Sequence, residues 1–118
     1  MPVVRVRAIE GRDDDSASAA LIAIAEEIAD AASCPVQTVW CSFEGLSTLT
    51  IGTNRAAAGH EIVFVDVEMR SRGVEVAGEV LRRTAIRAAE GFGVPVEDVW
   101  VRLYEVPPGS VITGGEIV

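Results

Sequence analysis

Cys34-Pro35-Val36-Gln37-Thr38-Val39-Trp40 lies over Val94-Pro95-Val96-Glu97-Asp98-Val99-Trp100 at an offset of 60 residues, and self-similarity at a fixed spacing marks a structural unit used twice. The register extends outward: Val3 falls on Val63, Arg12 on Arg72, Leu21 on Leu81 and Ala25 on Ala85. Before each copy of the motif stands a helical pattern. From Ala17 to about Ala32 the larger apolar residues Leu21, Ile24 and Ile28 recur at helical spacing. In the second unit Val74, Ala77, Leu81, Ala85, Ala88 and Phe92 do the same. Asp13 to Asp15 and Ser16 supply an acidic cap for the first helix, and Pro35 ends it by disfavouring helical backbone at Cys34. Gly91 and Gly93 can close the second.

Strands are expected on either side of each helix. Positions 3 to 9 alternate, Val36–Phe43 follows the first helix, and Ile62–Met69 and Val96–Tyr104 bracket the second. The Gly- and Thr-containing stretch Gly45–Gly59 holds a short hairpin around Leu49 to Ile51. Two β-α-β units in tandem result, about 2–52 and 61–115, in one domain over 1–118. Each crossover is right-handed with its two strands parallel. One four-stranded sheet with both helices on one face is the economical α/β (α+β) assembly. Its second face then carries Val63, Val65, Val67 and Met69 or their alternates, and a bare apolar sheet face calls for self-association.

Composition narrows the chemistry. The chain has 118 residues, is 49% hydrophobic and carries a net charge of −8, so nucleic acid is a poor partner. All ten basic residues are arginine, which removes Schiff-base, pyridoxal and P-loop lysine chemistry. One histidine, His60, cannot build a multi-histidine metal site. Cys34 and Cys41 make no disulfide framework. Gly91 and Gly93 are no dinucleotide fingerprint, because the third glycine and the preceding strand are missing. No secretory signal opens the chain and no apolar run nears the roughly 20 residues of a membrane span, so no membrane partner and a cytoplasmic location are expected. Proton transfer is left to carboxylates, His60, two thiols and the chain's own amino group.

Pro2 after the initiator methionine, Glu10-Gly11-Arg12 at the end of the first strand, the two linked units and the closing segment Glu105-Val106-Pro107 to Gly114-Gly115 together resemble the tautomerase superfamily, in the form where two 4-oxalocrotonate tautomerase-like units are fused. The resemblance implies a homotrimer that needs no cofactor and acts on a small anionic carboxylate. It implies removal of Met1 and use of the freed Pro2 nitrogen as the catalytic base. An ordinary α-amino group titrates near ~7.7 to 8.0; lodged among apolar residues and near arginines it should titrate lower, leaving a neutral base at pH 7. Pro2 aligns on Ile62, so one unit of the two can present an amine.

Arg70-Ser71-Arg72 is similar to the arginine pair of the malonate semialdehyde decarboxylase and cis-3-chloroacrylate dehalogenase branches, which holds the substrate carboxylate; guanidinium offers that group bidentate hydrogen bonds. Arg12 is the repeat equivalent of Arg72, and ion pairing is its plain alternative. Trp100, Arg102 and Tyr104 share one face of the last strand, and Trp100 and Arg102 are further substrate-binding candidates. His60, Glu61 and Cys41 read as structural.

The pattern also departs from the family. Trp40 and Trp100 stand where 4-oxalocrotonate tautomerase has its mid-strand arginine, and Val111 replaces its aromatic wall. The decarboxylase carboxylate falls on Thr38, and the dehalogenase glutamate, histidine and tyrosine fall on Thr113, Ala29 and Arg102. Water-adding chemistry lacks its usual helper, with Glu116 or Asp98 as remaining carboxylates. The expected activity is keto-enol proton transfer in a 2-oxo or enol acid. The alternatives are a decarboxylase or hydratase using protonated Pro2 as an acid, and a non-catalytic trimeric binding protein that keeps Met1.

Overall fold

In the computed structural model, which describes residues 1–57 and 60–118, alternation along the first strand decides what packs where. In β1 (Val3–Ile9) Val4, Val6 and Ala8 are buried, and in β5 (Val63–Met69) Val63, Val65, Val67 and Met69 are. These rows meet the apolar stripes of α1 (Asp14–Ala32) and α2 (Val74–Phe92), where Ile24, Ile28, Val80 and Phe92 join one continuous core. The four-stranded sheet has the order β2 (Trp40–Leu46), β1, β5, β6 (Val99–Glu105). Within each unit the strands are parallel, as expected, and the units join through an antiparallel β1–β5 pair. The helices touch closely: a Cβ at Gly91 would lie 2.8 Å from that of Ala20.

Local chemistry explains where boundaries differ from the sequence reading. The first helix starts at Asp14 rather than Ala17, because Asp13 Oδ1 accepts from Ser16 N at 2.7 Å and Asp14 and Asp15 then suit the first turn. That bond holds the Asp13 carboxyl below its ordinary range. Ser33, at φ 53°, ends the helix in the left-handed conformation ahead of Pro35. The predicted strands Val36–Phe43 and Val96–Tyr104 begin instead with 3-10 turns at Val36–Thr38 and Val96–Asp98, in which Thr38 N and Asp98 N donate back to the carbonyls of Pro35 and Pro95. The expected hairpin is β3 (Thr50–Ile51) with β4 (Asn54–Arg55). Residues 58 and 59, the end of the Gly45–Gly59 stretch, lie outside the described residues. A second hairpin, β7 (Ile112–Thr113) with β8 (Glu116–Ile117), turns on Gly114 and Gly115, both at positive φ.

The expectation of a bare apolar sheet face is corrected. Its alternates are Phe64, Asp66 and Glu68, and Asp66 takes Arg7 at 3.6 Å and Arg102 at 3.1 Å while Glu68 takes Arg5. The period of two that buries valine inward leaves charge outward, framed by the half-exposed Trp40, Trp100 and Tyr104.

Two buried positions among the described residues are polar, Glu61 and Thr84. Thr84 is fully buried and its hydroxyl has no hydrogen-bond partner among the described residues; Ile24 is its repeat equivalent. Thr84→Val removes an unsatisfied group without opening a cavity, so it should stabilise the fold by about 1 kcal/mol, or roughly 3 to 6 °C in Tm, read by calorimetry. An unchanged or lower Tm would refute it.

Candidate active site

The antiparallel β1–β5 pair decides which end of the sheet Pro2 shares. Val3 faces Glu68, so the residues after β5, Arg70 among them, arrive at the start of β1. Parallel pairing sets Trp40 beside Val3, and Trp40 N donates to the Pro2 carbonyl at 3.0 Å. The chain end folds over this corner, tied by Val106 N to Met69 O at 2.9 Å and closed on itself by Val118 N to Val111 O at 2.9 Å. Between them lies a cleft of about 320 Å³. Its walls are mostly apolar, formed by Val3 and its strand neighbour Trp40 with Val106, Pro107, Val111 and Ile112; Glu68, Arg70 and Thr113 supply its polar groups.

Pro2 is fully buried and does not itself line the cleft, but its chain neighbours Met1 and Val3 do. Its nitrogen is acylated by Met1, which lines the cleft and whose Sδ accepts from Thr113 Oγ1 at 3.4 Å. Arg70 is exposed into the cleft and, among the described residues, pairs with no carboxylate, unlike Arg5, Arg7, Arg12, Arg82, Arg83, Arg87 and Arg102. In a chain of eighteen acids that is an electrostatic asymmetry. Glu68, the cleft's carboxylate, is occupied by Arg5.

The structure brings Pro2 and Arg70 to one end of the sheet and not Arg12, which follows the far end of β1 after about 20 Å of strand. Arg12 is bonded to Glu61, Ile9 O and Phe92 O. Arg72 donates from Nη1 to Ala32 O at 2.9 Å, and does not line the cleft. Trp100 and Arg102 lie on the open sheet face, Arg102 over the Tyr104 ring at 5.6 Å. The tryptophan at the cleft is Trp40, which was not among the substrate-binding candidates named from sequence. Its place was recoverable, because parallel crossovers pair strands of the same unit and Trp40 belongs to the unit that carries Pro2. His60 is exposed and its N–H donates to Ala57 O at 2.9 Å. Burial pushes the Cys41 thiol up to about 11, so it is protonated at neutral pH and no nucleophile there. Among the described residues no group of three or more His, Cys, Asp or Glu is placed to hold a metal ion, and no helix is long and apolar enough to cross a membrane.

No family model and no curated protein matches the sequence. Solved structures do. A member of the cis-3-chloroacrylic acid dehalogenase family superposes with TM-score 0.87 at 21% identity, over 98% of this chain and 82% of that one. A fused 4-OT that forms a symmetric trimer gives TM-score 0.85 at 18% identity, over 98% and 94%. Pt0534, inactivated by 2-oxo-3-pentynoate, gives 0.87 at 19% identity, over 98% and 94%. With TM-scores of 0.85 to 0.87 over 98% of its length, the chain has the fold of the tautomerase superfamily.

Proposed function

We propose that this chain is a cofactor-independent tautomerase that moves a proton between carbon and oxygen in a small 2-oxo or enol monoacid, with the Pro2 nitrogen as base once Met1 is removed. The observation that carries the reading is a fully buried Pro2 between two residues, Met1 and Val3, that line a mostly apolar cleft, together with Arg70 in that lining, which has no carboxylate partner among the described residues. In the forward direction the amine takes a proton from the carbon next to the 2-oxo group. The C–H electron pair becomes the new C=C bond, the carbonyl pair moves onto oxygen, and prolinium returns the proton to that oxygen. Arg70 holds the carboxylate and so fixes the reacting carbon near Pro2, while Arg72, two residues on, adds positive charge without lining the cleft. Apolar walls keep water from the carbanion-like intermediate.

Tautomerisation is favoured over hydration by the cleft's carboxylates. Water addition calls for a carboxylate free to activate water, and Glu68 is paired with Arg5, while Asp98 and Glu116 are not part of the cleft lining. Among the structural neighbours, Pt0534 is inactivated by a 2-oxo acid, which supports the same substrate class here. The deciding assay is the rate of ketonisation of simple enol acids by protein shown by intact mass to begin at Pro2. No acceleration over buffer would leave the binding-protein reading in its place.

A homotrimer is part of the same proposal. The open sheet face presents Trp40, Trp100 and Tyr104, each more than half exposed, and the fused 4-OT neighbour is a symmetric trimer. In a ring of three, Trp100 and Arg102 of one chain reach the neighbourhood of the next chain's cleft. Light scattering should give the mass of three chains. Trp100→Asp should shift it toward one chain and lower turnover with it. A monomeric but fully active variant would sink the composite site.

A further inference from the structure

The buried carboxylate of Glu61 has no part in the chemistry proposed for Pro2, and its place in the repeat gives it meaning. A shift of 60 residues puts Glu61 over Met1, Arg12 over Arg72, and Phe92 over Ala32. The two arginines are mounted alike. Arg72 Nη1 donates to Ala32 O, the last residue of α1, and Arg12 Nη2 donates to Phe92 O, the last residue of α2, both at 2.9 Å. Each thus caps the carbonyl end of the other unit's helix, where a cation is favoured.

What meets the two guanidinium groups differs. Arg72 pairs with no carboxylate among the described residues. Arg12 Nη1 donates to Glu61 Oε1 at 2.9 Å, and the same oxygen accepts from Ile9 N at 3.2 Å. Arg12 is held further by Ile9 O at 2.9 Å and by the Phe92 ring at 5.0 Å, and its side chain is 17% exposed while that of Glu61 is 0%. A carboxylate gives up its water only where charged and neutral donors replace it. Here they are supplied by a preset cation and a strand N–H.

We infer that the end of the sheet where β1 finishes and β5 begins contains a carboxylate-binding site built from Arg12 and the Ile9 N–H of the first unit, and that its ligand is Glu61 of the second, which closes this end to acids from solution. Glu10 adds to the closure. It stands where the repeat has Arg70, so this end of the sheet carries an anion at the position of the cleft's cation. The chain therefore has one end of the sheet open to an anionic ligand and one end satisfied internally. This does not depend on Pro2 acting as a base, and its test reads stability rather than turnover.

Glu61→Ala deletes a methylene and a carboxylate, the size of one acetate ion. Thermal unfolding of the variant is followed in sodium acetate, sodium formate, sodium pivalate and sodium chloride at equal ionic strength. The variant should melt about 10 to 15 °C below the parent in chloride, because Arg12 is left with an uncompensated charge. Roughly 100 mM acetate should restore about 5 °C, formate less, and bulky pivalate nothing beyond chloride. Glu61→Ala with Arg12→Met should melt above Glu61→Ala alone and show no acetate response. Equal recovery in chloride and acetate, or an acetate response that survives Arg12→Met, overturns the inference. If Glu61→Ala is unfolded at 25 °C, the reading is helical circular dichroism on refolding. Recovery in acetate but not in chloride supports the site, and recovery in neither overturns it.

Discussion

Protein freed of Met1 is expected to interconvert a 2-oxo acid and its enol about 10²- to 10⁴-fold faster than protein that keeps it, the usual contribution of one positioned general base. With Met1 in place the Pro2 nitrogen is an amide whose lone pair is delocalised into the carbonyl, so it has no basicity to offer. The methionine side chain also lines the cleft and contacts Thr113. Once freed, a secondary amine as buried as Pro2, with Arg70 at the same end of the sheet, is disfavoured as a cation by desolvation and by like charge. Its pKa should fall below the ordinary ~7.7 to 8.0 of a chain terminus. Base catalysis needs the neutral form, so kcat/KM should rise with pH through that pKa and then level. An acid role for prolinium, as in a decarboxylase or hydratase, gives the opposite limb. The experiment is one preparation split into processed and unprocessed chains by intact mass, each carried through a pH profile. Equal rates in the two would remove Pro2 from the chemistry whatever the profile.

How far the sequence carried is clearest at particular residues. The offset of 60 between Cys34-Pro35 and Val94-Pro95 was enough for two β-α-β units, parallel pairing inside each, and both helices on one face. It could not say how the units meet, and that one fact sorts the arginines: because β1 and β5 run antiparallel, Arg70 comes to Pro2 and Arg12 goes to Glu61. The 3-10 turns at Val36 and Val96 were hidden, since a β-rich stretch after proline reads as strand until backbone hydrogen bonds are known. The open face was misjudged as apolar because the choice between Val65 and Asp66 as the outward row depends on where the helices lie. Trp100 was offered as a substrate contact and Trp40 was not, although of the two only Trp40 shares a unit with Pro2. The closing hairpin that roofs the cleft is too short, at two residues a strand, to leave a periodic signal.

The second large effect belongs to Arg70. A substrate carboxylate in this cleft would find one guanidinium lining it, and losing one charge-assisted hydrogen bond typically costs about 1.5 to 3 kcal/mol, or roughly 10- to 150-fold in kcat/KM. Arg70→Ala should therefore lose that factor on a 2-oxo acid. It should lose little on the uncharged ester of the same acid, which has no carboxylate to hold. Arg72→Ala should fall between the parent and Arg70→Ala, because Arg72 stands two residues away with its guanidinium partly committed to Ala32 O. Arg12→Ala separates position from charge. It removes the same functional group from the opposite end of the sheet, leaves buried Glu61 without its cation, and should cost about 3 to 5 kcal/mol of stability while leaving the acid-to-ester preference of the folded protein intact. The three variants are compared as acid-to-ester ratios of kcat/KM alongside their melting temperatures. A ratio that drops for Arg12→Ala and holds for Arg70→Ala would mean that the carboxylate is bound at the other end of the sheet, and that the cleft beside Pro2 is not where the substrate sits.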